Sequence, residues 1–382
     1  MDVGRGAGPV RPLEAHPADL LDLRVPVAGT ADASLHERLV QTATDAFIVL
    51  HEGGLVLEWY ADPAAPDEPQ ALMSVTKSVV GCVAGILVET GALDPDALAS
   101  TWVPELEGSG YAGVTVRDLL DMRTGGDHRE RYDDEAGEVV QLGRVLAASA
   151  AGGGESSLDE LVLHAARRAL HAGPFAYRSL DTEVLGWVVE RAAGAAMPAL
   201  LEDLVLGPMG AERPGSMATD TRGRASHSGG LALSARDVAR FGQLIADGGS
   251  VGGTQVVPTV WVKDTRVGAP DSAAAFRASL SGSPGGSPGE SLAAGPGEDP
   301  GIPAAHYRNQ FWVLHAGGRE LLGLGIFGQY VHVDVEASTV VVKLSSWVSP
   351  QDPQAFSAGL ACATTLAEHL GGHPSHGLNL HA

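Results

Sequence analysis

The sequence predicts a mixed α/β (α+β) fold: an antiparallel sheet drawn from both ends of the chain, flanked by helices, with a helical lobe inserted between its two halves. Three observations predict it. Residues 47–60 read as two strands about a Gly-Gly turn. Residues 310–314, 322–333 and 338–344 carry strand character near the other end. Between them, 116–249 shows apolar positions recurring with a period near 3.6, broken by glycine and proline. Strands at both ends with helices between them place one sheet across the termini and the helices in an insertion.

The elements follow in order. Residues 1–32 read as an irregular arm rich in Gly, Pro and Ala. Residues 34–46 form an amphipathic helix with Leu35, Leu39, Val40 and Ala43 on one side. After the first two strands, 63–69 is a loop, and an apolar helix starts at Ser74 and ends near Gly91, a C-terminal glycine stop. Further helices are predicted over 116–122, 158–171, 182–193, 198–205 and 235–246. A Gly/Ser/Pro/Glu segment over 282–303 is a low-complexity surface loop, 353–370 a closing helix, and 373–382 a tail. The expected division is a sheet subdomain from 33–73 and 304–372, and a mostly helical subdomain over 74–281.

Composition narrows the function. A chain of 382 residues, 44% hydrophobic and 19% charged, is long enough to bury a large core. A net charge of −22 argues against nucleic acid and anionic membranes as partners. Cys82 and Cys362 both lie in apolar helical patterns and read as small buried residues. The first twenty residues hold no continuous apolar core of a signal peptide, and no run reaches the roughly 18 apolar residues of a membrane span, so a cytoplasmic enzyme is expected.

The chemistry centres on Ala71-Leu72-Met73-Ser74-Val75-Thr76-Lys77-Ser78. Ser74 and Lys77, three apart, share one helix face. A hydroxyl becomes a strong nucleophile when a base takes its proton. An amine one turn away, kept partly neutral by desolvation, is such a base. Spacing alone fits a helix N-terminus with a solvated lysine equally well. Context favours the base, because the chain has only three lysines (Lys77, Lys263, Lys343) and sets this one in an apolar helix. A second piece is Tyr177-Arg178-Ser179, just before the 182–193 helix. Its phenol either relays protons beside a cation or is a half-buried tyrosine next to a capping serine.

Together these motifs resemble the serine β-lactamase and penicillin-binding-protein superfamily, and more closely its class C β-lactamase-like branch of esterases and amidases. Met73-Ser74-Val75-Thr76-Lys77-Ser78, Asp118-Leu119-Leu120-Asp121-Met122-Arg123-Thr124-Gly125, Glu130-Arg131-Tyr132-Asp133-Asp134 and Gly325-Ile326-Phe327-Gly328-Gln329-Tyr330 are similar to the 6-aminohexanoate-dimer (nylon-oligomer) hydrolases, as are 179–186 and 229–244. The resemblance spans roughly 33–370. It implies a β-lactamase/transpeptidase-like fold with Ser74 as acylated nucleophile, Lys77 as its activating neighbour and Tyr177 as proton donor to the leaving group. Ser179 would hydrogen-bond Lys77 and the substrate, and Tyr132 would assist amide substrates. The superfamily's Lys-Thr-Gly motif falls on Gly323-Leu324-Gly325, without its lysine and threonine. What remains is backbone: the N–H of Ile326 would join that of Ser74 as an oxyanion hole, with Gly325 beside the substrate. Ser228, Gly229 and Gly230 either line the pocket or form a plain loop. Lys77 favours an ionised Tyr177, or Tyr177 and burial favour a neutral Lys77; such a pair titrates as a unit.

The expected activity is hydrolysis of a small-molecule carboxylic ester or small linear amide through an acyl-enzyme, with no metal or organic cofactor and with a homodimer as the form implied by the family. The alternatives are a D-alanyl peptidase or β-lactamase, disfavoured by the missing cation, and a catalytically silent relative that binds an acyl ligand. Gly285-Gly286-Ser287-Pro288-Gly289 fits the nucleophile-elbow pattern formally but sits in low-complexity sequence. Gly4-x-Gly6-x-Gly8 follows no strand, and His369, His373, His376 and His381 read as a tail rather than a metal site.

Overall fold

The computed structural model describes residues 1–63, 65–125, 130–153, 157–165, 173–280 and 305–372. The low-complexity segment, the formal nucleophile elbow, the tail and all C-terminal histidines except His369 lie outside them.

A seven-stranded sheet, antiparallel throughout, forms the base. Its strands are β1 (Thr44–His51), β2 (Gly54–Tyr60), β3 (His306–Arg308), β4 (Phe311–Val313), β5 (Glu320–Gly325), β6 (Gln329–Asp334) and β7 (Thr339–Ser345). They lie in the order β3-β4-β5-β6-β7-β1-β2, so β7 from the late part of the chain pairs with β1 from the early part. Alternation along β1 divides the core. Ile48 and Leu50 join one apolar cluster with Val238, Phe241 and Leu244, whereas Phe47 and Val49 join another with Leu39, Phe356 and Leu360. That is the period-2 rule of a strand buried on both faces.

Five helices frame the site: α1 (Leu35–Gln41), α2 (Val75–Glu89), α3 (Ser179–Ala193), α4 (Ala235–Ala246) and α5 (Pro353–Gly371). Helix α1 starts in a capping box, Ser34 accepting from the N–H of Glu37 while Glu37 accepts from that of Ser34. Helix α4 packs on β1, β6 and β7, with α1 and α5 against the opposite face. Gly242 lets α4 approach closely, since a Cβ there would lie 2.4 Å from Cγ1 of Val340. Helix α2 lies against β5 and α3.

Several local expectations are refined. The 322–333 strand is a hairpin, because Ile326–Gly328 forms a tight turn between β5 and β6. The first hairpin turns at Glu52 and Gly53, both with positive φ, and Gly54 already belongs to β2. Helix α1 stops at Gln41, so that Thr44 can begin β1. Helices Glu138–Ala150, Thr259–Val267 and Ser272–Leu280 and strand β3 add to the expected set. The 198–205 helix continues through a π-helical stretch, Glu202–Leu206, to Met209. Of the 158–171 helix, Leu158–Leu163 is helical and 166–171 falls outside the described residues.

The arm is pinned at its start and again midway. Asp2–Val3 pairs with Gly215–Met217 in a four-stranded sheet that continues through Leu231–Leu233 to Gln70–Ala71. Further on, the N–H of His16 donates to the carbonyl of Leu55 on β2. The glycines of the Gly4-x-Gly6-x-Gly8 run are small because the arm touches the 202–207 turn: a Cβ on Gly6 would lie 2.4 Å from the Cα of Gly207. Among the described residues no single helix is long and apolar enough to cross a membrane.

Candidate active site

The start of α2 is fixed before any side chain acts. The N–H of Leu72 donates to the carbonyl of Leu231, and the N–H of Leu231 donates to Oγ1 of Thr76, so the small sheet grips the first turn. Met73 is held at φ 48°, a left-handed conformation that a methionine adopts only under tertiary constraint, and it precedes Ser74 directly. Phe327, directly after Ile326, has φ 61°. The two residues expected to line an oxyanion hole are therefore flanked by strained backbone. Gly325 closes the strand onto the helix: a Cβ there would lie 2.7 Å from the carbonyl oxygen of Leu72 and 3.0 Å from the nitrogen of Ser74.

Lys77 is 1% exposed. Its Nζ stands 2.7 Å from Oγ of Ser74, 3.0 Å from Oγ of Ser179 and 2.8 Å from the carbonyl oxygen of Ser228. Burial pulls its pKa down to about 8, against the opposing pull of the Glu130 and Glu183 carboxylates. Tyr177 opens on the same pocket as Ser74, and Nζ of Lys77 is 5.2 Å from its ring centroid. Burial, then the nearby Glu130, raise the phenol's pKa, so it keeps its proton at neutral pH. Of the two protonation patterns left open by the sequence, these directions favour a protonated Tyr177 beside an amine that is neutral in part.

The supporting shell comes from residues that the sequence reading did not single out. Tyr177 stacks on Trp312 with centroids 5.2 Å apart and planes 22° from parallel. The next residue, buried Arg178, donates to Oγ1 of Thr124 and pairs with Asp181, which also accepts from the phenol of Tyr111. Glu130, 5% exposed, accepts from both the N–H and the hydroxyl of Ser179, at 2.9 and 2.5 Å. Glu183 accepts from the hydroxyls of Ser226 and Ser228 and from the N–H groups of His227 and Ser228. It thereby shapes the loop whose Ser228 carbonyl faces Lys77. A signal for Glu183 was available, since it lies one helical turn after Ser179 on the same face. Glu130 falls in the Glu130-Arg131-Tyr132-Asp133-Asp134 segment that carries the resemblance, but a loop has no periodicity to show what its carboxylate faces.

Ser74, Tyr132, Tyr177, Gly325 and Ile326 open on one pocket, with Lys77 and Ser179 packed behind it. It encloses about 630 Å³, open solvent at its mouth included. Its other walls are Trp312, Leu324, Trp347, Phe356 and the 350–353 segment, a mostly apolar lining that includes Gln351 and Asp352 and contains no lysine or arginine among the described residues. Ser228 contributes its carbonyl to Lys77; Ser228, Gly229 and Gly230 are not among the pocket walls.

A sheet joining both chain ends, with Ser-x-x-Lys at the head of a buried helix and a Tyr-x-Ser beside it, defines a β-lactamase-like type of serine hydrolase. Residues 33–361 match the Beta-lactamase family, and the chain belongs to it. It is a serine hydrolase of the esterase/amidase type. It is 33% identical over 328 residues to a 6-aminohexanoate-dimer hydrolase from Paenarthrobacter ureafaciens, covering 86% of this chain and 79% of that one. Among solved structures it is similar to a chain described as a 6-aminohexanoate-dimer hydrolase from Bacillus anthracis, with TM-score 0.80 and 23% identity over 98% of this chain and 92% of that chain. A family VIII carboxylesterase shares the fold at TM-score 0.56 and 15% identity, over 86% of this chain and 96% of that chain.

Proposed function

We propose that the protein cleaves carboxylic esters and small linear amides through an acyl-enzyme on Ser74. The observation that carries this reading is the convergence of three groups: the Lys77 amine 2.7 Å from the Ser74 hydroxyl, and Tyr177, about a hundred residues on, lining the same pocket as Ser74 with its ring centroid 5.2 Å from that amine. The likeness to 6-aminohexanoate-dimer hydrolases supports the amide half of the proposal.

The steps follow from the geometry. Neutral Lys77 takes the Ser74 proton as Oγ attacks the carbonyl carbon. The oxyanion is met by the N–H groups of Ser74 and Ile326, neither of which donates to a backbone carbonyl among the described residues. Collapse breaks the C–O or C–N bond, and the leaving group takes the phenol proton of Tyr177, which Lys77 replaces. Water then attacks the acyl-enzyme along the reverse proton path and frees Ser74. The apolar walls suit an uncharged acyl chain. A β-lactam carboxylate would find no lysine or arginine in the pocket lining among the described residues and would share it with Asp352. Tyr132 stands in the wall, and in this reading it contacts the leaving amine of an amide substrate.

A fluorophosphonate probe read by intact mass tests the assignment. One adduct is expected, absent in Ser74→Ala and formed far more slowly in Lys77→Ala. Short-chain p-nitrophenyl esters should turn over and nitrocefin should not. Labelling that persists in Ser74→Ala would end the proposal.

A further inference from the structure

We propose that Glu130 is a positioning residue of this site: through Ser179 it holds the Lys77 amine in register with Ser74, and through Tyr132 it fixes one wall of the substrate pocket. The inference rests on the Ser74 reading above and adds to it a group that touches no reacting atom.

The contacts form one chain. The Tyr132 hydroxyl donates to Oε1 of Glu130 at 3.1 Å. Both carboxylate oxygens are occupied by Ser179, Oε2 by its N–H and Oε1 by its hydroxyl. The Ser179 hydroxyl spends its only proton on Glu130 and so presents lone pairs to Nζ of Lys77, 3.0 Å away. With a non-accepting group at position 130, that hydroxyl would be free to turn its proton toward the amine. Ser179 also opens α3, so the carboxylate sits at the positive end of that helix and satisfies a first-turn N–H. A glutamate this deeply buried is costly, and three directed donors compensate it.

The electrostatic consequence is directional. The groups facing Lys77 are Ser74 on its own helix, Tyr177 and Ser179 before and at the start of α3, the Ser228 carbonyl, and the two carboxylates Glu130 and Glu183. Glu183 is spread over four donors from the 226–228 loop, leaving Glu130 as the carboxylate linked to the amine through a single hydroxyl. It therefore favours the ammonium form and sets how high the pH must rise before Lys77 acts as a base. Because the same carboxylate holds Tyr132, the pocket wall and the basicity of the amine are coupled.

The test is the pH dependence of kcat/KM for p-nitrophenyl acetate, measured beside fluorophosphonate labelling on the full chain. In Glu130→Gln the rate should fall about tenfold or more, and the midpoint of the rising limb should move down by about one pH unit. Glu130→Asp keeps the charge and should return the midpoint toward that of the unaltered protein while the rate stays low. Adding Glu130→Gln to Ser179→Ala should cost less in rate than Glu130→Gln does alone, because the Ser179 link is already cut and only the Tyr132 contact and the carboxylate's charge remain to be lost. A folded Glu130→Gln with an unmoved midpoint overturns the proposal. If Glu130→Gln does not fold, Glu130→Asp decides, and an undiminished rate in that variant overturns the proposal equally. Failure of the unaltered protein to label at Ser74 would instead strike the reading beneath it.

Discussion

Gly186 lies against the imidazole of His227 so closely that a Cβ on it would fall 2.0 Å from the ring's Cγ. The ring sits between Glu183 and Glu190, its nitrogens 3.4 and 3.3 Å from their carboxylates. Burial opposes a charge there, but the two carboxylates raise the imidazole's pKa and keep it protonated. The Gly186 to His227 contact thus sets the height of the 226–228 loop over α3, and with it the Ser228 carbonyl that receives Lys77. Gly186→Ala should destabilise the protein by about 1–3 kcal/mol through overpacking. Displacing the Ser228 carbonyl should lower kcat/KM for a p-nitrophenyl ester about 10- to 100-fold. Urea unfolding and steady-state rates check both. A stable variant with full activity would show that the loop is not tied to the site.

Lys77 predicts the pH profile. Burial first, against the opposing carboxylates, brings its pKa to about 8. The amine must be neutral to take the serine proton, so kcat/KM should climb as pH passes about 8 and flatten above it. Tyr177 keeps its proton across that range, since its own pKa is raised. Stopped-flow acylation between pH 6 and about 10 measures the limb directly. A rate falling over this interval would mean that the working form carries a protonated amine.

Gly325→Ala tests the oxyanion strand. The added methyl would press on the Leu72 carbonyl and the Ser74 nitrogen, at 2.7 and 3.0 Å, and would drive β5 away from α2. An oxyanion donor displaced in this way costs about 100- to 1,000-fold in kcat, with KM changed far less. Single-turnover acylation should slow by the same factor. Unchanged acylation would move the oxyanion hole elsewhere.

Much of this arrangement was legible in the sequence. Short continuous apolar runs in β1, β2 and β7 and the 3.6-residue period of α4 marked the sheet and the helix that covers it. Ser74, Lys77, Tyr177 and Ser179 stood out because their residue types and spacing carry a chemistry. The 320–334 hairpin did not read as two strands, because its turn is made by Ile326 and a left-handed Phe327 rather than by a Gly/Asn pair. A three-residue strand such as β3 leaves too few positions for a period to show, whereas β4 falls inside the 310–314 strand that was expected. Glu130 and Trp312 were silent for a different reason. Each acts on a catalytic group remote in sequence, and only the folded chain brings the carboxylate to Ser179 or the indole to Tyr177.

Lys343 gives a prediction independent of catalysis. It lies on β7, fully buried beneath α5, its methylenes beside Gly359. Its amine meets the Ser345 hydroxyl, the Thr42 carbonyl at 3.4 Å and the Trp347 ring at 5.3 Å, with no carboxylate paired to it among the described residues. Burial lowers its pKa to about 7, and the Cys362 thiol and Asp45 offset this only in part. The folded state therefore binds this proton less tightly than the unfolded chain does. The full penalty is present below about pH 7 and is relieved as pH rises toward the unfolded value near 10.5. Lys343→Met fills the same space without a charge, and Thr42 keeps the Trp347 indole as a donor at 2.8 Å. It should be more stable than the unaltered protein by about 1–3 kcal/mol at pH 6. The gain should shrink toward pH 9, which urea unfolding at the two values measures. A variant less stable at pH 6 than its parent would show that the contacts with Ser345, Thr42 and Trp347 outweigh the cost of burying the amine.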